Sequence, residues 1–158
     1  MNVSLEVRNH VMAQAQGAMA LYAAFVGLAN PLFATLAKKG KCTPAELAQQ
    51  TNLDPGYVAR WCDAAFAFGY LEEVDSQLQI TDLGRAFLPE TAGTVMPFAV
   101  FPMLAAHMSE RAATFMKTGE RPGEKVLAER ESILPLFGMM LETTFSGMFE
   151  QQVLSNIP

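Results

Sequence analysis

Catalytic chemistry needs nucleophiles, acid–base pairs or metal ligands in reach of one another, and this sequence offers few. Its two histidines, His10 and His107, stand 97 positions apart, with no H-x-x-x-H or C-x-x-C companion to build a metal site. His107 sits in an apolar run, "FPMLAAHMSERAATF". There a histidine serves either as a general base in a pocket or, more commonly, as a half-buried side chain with a local hydrogen bond. Glu120, Glu124, Glu129 and Glu131 have the density of paired carboxylates. They are interleaved with Arg121, Lys125 and Arg130, however, which makes them a solvated charge cluster. None of the 11 glycines forms a G-x-G pattern, so the chain has neither a dinucleotide fingerprint nor a phosphate loop. No catalytic, cofactor-binding or metal-ligating residue is assigned.

What the sequence does concentrate is adaptable apolar surface. Seven of the 10 methionines follow Pro89: Met96, Met103, Met108, Met116, Met139, Met140 and Met148. They are joined by Phe98, Phe101, Phe115, Phe137, Phe145 and Phe149. Such a set builds a helix-bundle core, the wall of a pocket for a flat apolar molecule, or an intertwined dimer interface. The substrate-pocket candidates are Phe101, Met103, His107, Phe137, Met140 and Phe145.

The elements that must position these residues are mainly helical. The chain is 158 residues long, 51% hydrophobic and only 17% charged, and its mean hydropathy is +0.17. That is more apolar surface than one small domain hides, which points to a partner surface. The spacing predicts a first helix from Ser4 to about Leu28, burying Leu5, Met12, Met19, Tyr22, Phe25 and Val26, with Gly17 and Gly27 allowing close approach of another helix. No charge falls between Val11 and Ala37, but the purely apolar part, Ala18 to Ala29, is too short to span a bilayer, so no membrane association is expected. Asn30-Pro31 reads as N-cap and first residue of a second helix that stops at Gly40. Thr43 to Glu46 forms a capping box around Pro44, and Asp54-Pro55 starts the next helix. "YLEEV" and "LQI" then read as a hairpin about Asp75-Ser76-Gln77, followed by the short helix "TDLGRAFL". Beyond Pro89, Gly93, Pro97 and Pro102 predict a broken helix, then a longer one from about Met103 to Lys117, and a last helix from Ile133 to Leu154.

Helix, helix, helix and hairpin is the order of a winged helix-turn-helix, which raises the question of DNA. On the second helix of that motif, Val58, Trp61, Cys62, Ala65, Phe66 and Phe68 form the buried face, leaving Ala59, Arg60, Asp63, Ala64 and Ala67 outward. A recognition helix needs outward Arg, Lys, Asn or Gln to reach base edges. From residue 41 to 90 the chain carries three basic and eight acidic residues, a net charge of −5, and the wing tip is the acidic "EEVDSQ". Phosphate would be repelled, so nucleic acid is not the expected partner. Cys42 and Cys62 fall in apolar surroundings and are expected to be buried free thiols of a cytoplasmic protein.

The stretch from Asn30 to Leu88 resembles the N-terminal dimerisation region of bacterial SAM-dependent small-molecule methyltransferases. The matching residues are Leu32, Phe33 and Leu36 of an L-F-x-x-L helix, then Thr43, Glu46, Leu47 and Ala48. Leu53, Asp54, Tyr57, Val58 and Trp61 follow, then Gly69, Tyr70, Leu71 and Glu72, and Leu78, Ile80, Thr81 and Gly84 of the wing. The resemblance implies a mainly α dimerisation domain in three parts. Residues 1–29 would be an N-terminal dimerisation helix, 30–89 the winged helix, and 90–158 a helical segment roofing the substrate pocket and leading to a Rossmann-like SAM-binding domain. It implies a homodimer through the first helix and the helices beyond Pro89, a small apolar or aromatic methyl acceptor, and SAM as cofactor of the longer enzyme. That enzyme's glycine-rich D-x-G-x-G turn would follow the last helix, so this chain is expected to be an inactive N-terminal fragment. The alternative on the same scaffold is a dimeric winged-helix transcriptional regulator with an apolar ligand pocket.

Overall fold

The computed structural model describes residues 2–121, 123 and 128–152. Glu124 and Lys125 of the expected charge cluster lie outside the described residues, as do Leu154 and the side chains of Met148 and Phe149. The helices and strands in chain order are α1 (Leu5–Ala29), α2 (Leu32–Lys39), β1 (Lys41–Cys42), α3 (Pro44–Thr51), α4 (Pro55–Ala67), β2 (Leu71–Val74), β3 (Gln77–Ile80), α5 (Asp82–Arg85), α6 (Met96–Phe115) and α7 (Leu134–Gln152). The last follows a 3₁₀ turn at Glu131–Ile133.

Local chemistry sets most of these boundaries. Ser4 caps α1 by accepting from the Val7 amide. Thr43 and Glu46 satisfy each other's amides at the start of α3, the reciprocal capping box. Asp54 accepts from the Tyr57 amide at the start of α4, ahead of Pro55. α2 ends at Gly40, whose φ of +90° an L side chain rarely adopts. Strands β2 and β3 pair antiparallel from Leu71↔Ile80 to Val74↔Gln77, and β1 adds to β3 to give the order β1-β3-β2. The hairpin turn is Asp75-Ser76, with φ of 54° and 59°. Positive φ at both central residues matches the right-handed strand twist. Lys41 holds Asp75 at 2.7 Å and ties this turn to β1. Helix-turn-helix, small sheet and flanking helices together are the winged-helix arrangement the sequence predicts.

Two apolar clusters hold the chain together. The larger surrounds Phe33, with the rings of Trp61, Tyr70 and Phe87 at 5.3, 5.9 and 6.1 Å. The smaller comprises Met96, Val100, Ile133 and Met140 between α6 and α7. Phe25 and Leu28 of α1 touch both clusters, so α1 joins them. Each fully buried Leu or Phe contributes roughly 2 kcal/mol. The Trp61 indole is anchored by donating to the Ala23 carbonyl at 2.9 Å.

Four expectations are corrected. Asn30 caps the end of α1 rather than the start of α2: its amide and its side chain both donate to the Val26 carbonyl. The segment after Pro89 is not broken, because α6 runs unbroken through Pro102. Pro97 lies in its first turn, where a missing N–H costs nothing, and burial of Met96, Ala99 and Val100 offsets the interior proline. On α4, Phe66 points outward, being about a quarter turn off the line of Val58, Trp61, Cys62 and Ala65. On α1 the small residues Ala24 and Gly27 are buried, while Leu5, Met12, Met19 and Val26 are exposed. Everything from residue 2 to 17 is exposed, since no other described element reaches that half of the helix. By length and composition alone α1 is long and apolar enough to cross a membrane, although its purely apolar run from Ala18 to Ala29 is not, and its last third is packed into the body.

Both cysteines are buried and free. Burial, followed by the neighbouring Cys42 thiol, pushes Cys62 up to about 12, and burial also raises Cys42. A thiol held protonated is a poor nucleophile. Neither is therefore expected to react with a disulfide reagent such as DTNB in the native state at neutral pH, and both should react fully in denaturant. Rapid native labelling would contradict this packing.

Candidate functional site

The residues after α5 form a tight connector that sets one wall of a groove. Thr91 donates its hydroxyl to the Arg85 carbonyl at 2.9 Å, and Thr94 donates to the Ala86 carbonyl at 3.0 Å. Thr94 then accepts from the Met96 amide at 3.1 Å, so the same hydroxyl closes the connector and opens α6. Gly93 turns the chain with φ of +71°. α6 supplies Pro97, Phe98, Phe101 and Pro102 to a second wall, and α7 supplies Met140, Leu141, Thr143, Thr144 and Phe145 to a third. Leu21 of α1 completes the lining of a half-open cavity of about 890 Å³. That volume is in the range of small-molecule sites. Phe98, Phe101 and Phe145 are 66%, 60% and 57% exposed, a high value for side chains this large.

The six pocket candidates divide between three places. Phe101, Met140 and Phe145 line this groove. Met103 and Phe137 pack on the small cluster beneath it. His107 lies in a separate polar cleft. Leu21 and Leu141 carry no mark of a site in the sequence, whereas Phe98 belongs to the aromatic set after Pro89 without being one of the six candidates.

In the polar cleft the buried His107 places Nε2 3.2 Å from a Glu129 carboxylate oxygen. Arg111 donates to that same oxygen through Nε at 2.9 Å and through Nη2. Arg111 holds Glu129 below the ordinary carboxylate range, with His107 adding to the effect, and Glu129 in turn raises Arg111. Glu129 thus belongs to an ion pair and is not one of two paired catalytic carboxylates. A lowered folded pKa stabilises above the unfolded value, and that contribution is lost as pH falls through the folded one. Glu129→Gln is therefore expected to lower the melting temperature at neutral pH and to converge with the unsubstituted chain in acid. An equal deficit at both pH values would refute the assignment. Among the described residues no group of three or more His, Cys, Asp or Glu is arranged to hold a metal ion.

The face a DNA-binding winged helix would present is poorly equipped for phosphate. The exposed side chains along α4 are chiefly Tyr57, Arg60, Asp63 and Phe66, and the exposed hairpin positions include Glu72, Glu73 and Asp75. Lys41, the nearest cation to the hairpin turn, is committed to Asp75.

No protein-family model matches the chain, and no curated protein matches it. Solved structures do. One is CalO1, a methyltransferase in calicheamicin biosynthesis in its SAH-bound form, with 19% identity and a TM-score of 0.66 over 93% of this chain and 47% of that one. Another is RosA, the N,N-8-amino-8-demethyl-D-riboflavin dimethyltransferase from Streptomyces davawensis, with 19% identity and a TM-score of 0.59 over 99% of this chain and 49% of that one. A third is PigF with SAH, with 18% identity and a TM-score of 0.52 over 92% and 45%. The chain spans about half the length of each, and at these identities the likeness is one of fold: this chain folds as about half of each of these methyltransferases does.

Proposed function

We propose that the chain is the dimerisation and substrate-lid portion of a SAM-dependent small-molecule methyltransferase, and that it transfers no methyl group by itself. The observation that carries this reading is the pairing of nearly complete coverage of this chain with about half coverage of three methyltransferases. The half-open apolar groove agrees with it, being a wall that a further domain would complete. The residues present do not fit the cofactor, since none of the 11 glycines forms a G-x-G turn, so no step of the transfer is assigned to them. In the longer enzyme SAM would supply the methyl group, while Phe98, Phe101, Met140 and Phe145 would hold an apolar acceptor away from water. The protein would work as a homodimer in the reducing cytoplasm, where its two buried thiols stay free.

The deciding experiment compares this chain with the full product of its gene. Calorimetry is expected to detect SAM binding by the full product and none by this chain, and only the full product should methylate small aromatic acceptors. A full product that binds no SAM would overturn the reading. On duplex DNA at low salt no sequence-selective gel shift is expected; a tight, selective one would assign the winged helix to regulation instead.

A further inference from the structure

We infer that the polar cluster of Glu129, Arg111 and His107 is a clamp that fixes α7 against α6 and so sets the shape of the groove toward the other end of the two helices. Glu129 and Arg111 are thereby positioning residues for a ligand that neither touches. The inference rests on the reading of this groove as the acceptor wall and adds what holds that wall in place.

Apolar packing alone holds α7 loosely. The helix supplies a whole wall, Met140, Leu141, Thr143, Thr144 and Phe145. Among the described residues its buried contact is the small cluster of Met96, Val100, Ile133 and Met140, with Leu136 and Phe137 packed against it. Leu134, Met139, Leu141 and Phe145 are exposed. Apolar burial is non-directional, so it presses α7 onto α6 without fixing its rotation or register. Charge-assisted hydrogen bonds do have a preferred direction, and they supply what the cluster lacks.

Those bonds fall outside the groove, where a clamp has to act. Glu129 stands five positions before α7 and two before the 3₁₀ turn that leads into it. One of its carboxylate oxygens accepts from Nε of Arg111 at 2.9 Å and from Nη2, and lies 3.2 Å from Nε2 of the buried His107. His107 and Arg111 are one turn apart on α6, so all three contacts come from a single helix face. Along α6 the groove residues Pro97 to Pro102 come first, then His107 and Arg111. Along the later chain Glu129 comes first, then Ile133 and Met140 of the cluster, then Thr143 to Phe145 of the groove. α7 therefore runs back along α6, clamped before its start and open to the groove further on. From Phe101 to His107 the helix rises about 9 Å, which keeps the clamp off the lining. Met140 belongs to both cluster and groove, so a shift of α7 released at Glu129 reaches the groove wall. Glu110 and Arg130 line the same cleft as the clamp. Neither forms an ion pair among the described residues, which leaves the Arg111 bond without a substitute.

Glu129→Gln keeps the side-chain shape and removes its charge, and Arg111→Met keeps the stem and removes the donors. Two readouts on the purified chain at neutral pH test them: hydrogen exchange of the α7 amides, and affinity for the uncharged fluorescent reporter N-phenyl-1-naphthylamine. Reporter binding is assigned to the groove by its loss in Phe101→Glu, and binding that survives there counts as none. Each clamp variant is expected to speed α7 exchange about fivefold and to weaken the reporter about threefold, the scale of a half-exposed ion pair. The double variant should be no worse than either single one, because the two side chains share one interaction. Thr43→Ala, which loses the cap of α3, should lower the melting temperature and leave both readouts unchanged. Unchanged readouts in the clamp variants, with the reporter bound by the unsubstituted chain, overturn the clamp and leave the groove reading standing. Altered exchange with unaltered affinity reduces the cluster to a structural tie and overturns the positioning role. Effects that add in the double variant, or that Thr43→Ala reproduces, overturn it as well. An unsubstituted chain that does not bind the reporter overturns the groove reading, and the positioning role with it.

Discussion

Gly84→Ala is expected to destabilise the fold by about 4 kcal/mol or more, placing it among the rare severe single substitutions. A Cβ at position 84 would stand 2.4 Å from the Tyr70 carbonyl oxygen and 2.8 Å from the Ile80 side chain. The nearer contact is backbone, and that carbonyl is already fixed. It accepts from the Thr81 amide at 3.0 Å and from the Thr81 hydroxyl at 3.1 Å. Relief would require moving β2 away from α5, which breaks both bonds and opens the aromatic cluster at Tyr70. Gly27→Ala is the informative comparison, because its Cβ would meet the Phe33 and Trp61 rings at 2.7 Å. Rings can shift at some cost, so a smaller loss of roughly 2 kcal/mol is expected there. Gly17, with nothing within 4 Å, is the control, and Ala at that position should be neutral or stabilising by roughly 0.5–1 kcal/mol. Urea titrations of the three variants check the order. A mild effect at Gly84 would mean that α5 does not press on the Tyr70 peptide.

That glycine also shows how much of the fold was legible. The wing pattern that ends in Thr81 and Gly84 is a statement about one peptide group, at Tyr70, which Thr81 bonds and Gly84 leaves room for. Capping residues were equally direct, because Thr43, Glu46 and Asp54 act on amides three positions away. Local chemistry of that kind can be read without knowing the rest of the molecule. Two of the misreadings came from a competing demand on the marked residue. Asn30 and Pro31 carry every local mark of a helix start, but the end of α1 claimed the asparagine first. Pro102 carries the mark of a helix break, but packing on both sides of α6 overrides it.

The site was legible in composition and not in place. Aromatic and methionine residues after Pro89 signalled a lining, and they split according to which helix face met α1. Met96 and Val100 turn toward α1 and α7 and are buried, whereas Phe98 and Phe101, on the other side of the same turns, are exposed. A continuous α6 is what creates this division. With the break expected at the prolines, no periodicity could separate Met103 of the core from Phe101 of the groove. His107 shows the same limit from the opposite side: its partner Glu129 stands 22 positions further along the chain, and no sequence spacing predicts that pair.

In the proposed homodimer, Met12→Glu is expected to separate the protomers, raising the dissociation constant at least about 100-fold, the equivalent of roughly 2.7 kcal/mol. Leu5, Met12, Met19 and Val26 recur every seven residues along α1 and are 72%, 54%, 58% and 42% exposed. One apolar position in seven makes a narrow stripe along a helix, and a seam with a partner helix adds a second three residues on, which Ala15 and Tyr22 supply and Arg8 does not. Val7 and Val11, at 53% and 56% exposure, lie more than a quarter turn off that stripe. On one protomer Leu5 and Met12 have no cover, because the first half of α1 lies beyond the reach of the other described elements. Burial of each such side chain against a second copy returns roughly 1.5–3 kcal/mol, whereas a carboxylate at the middle of the seam has to be desolvated without a partner. Met12 touches no core cluster of its own chain, so the substitution should leave helix content and protomer melting unchanged apart from the lost association. Light scattering and sedimentation at micromolar concentration read the difference. A monomeric unsubstituted chain would refute the α1 seam outright, and a Met12→Glu chain that stays dimeric would move the interface to α6 and α7.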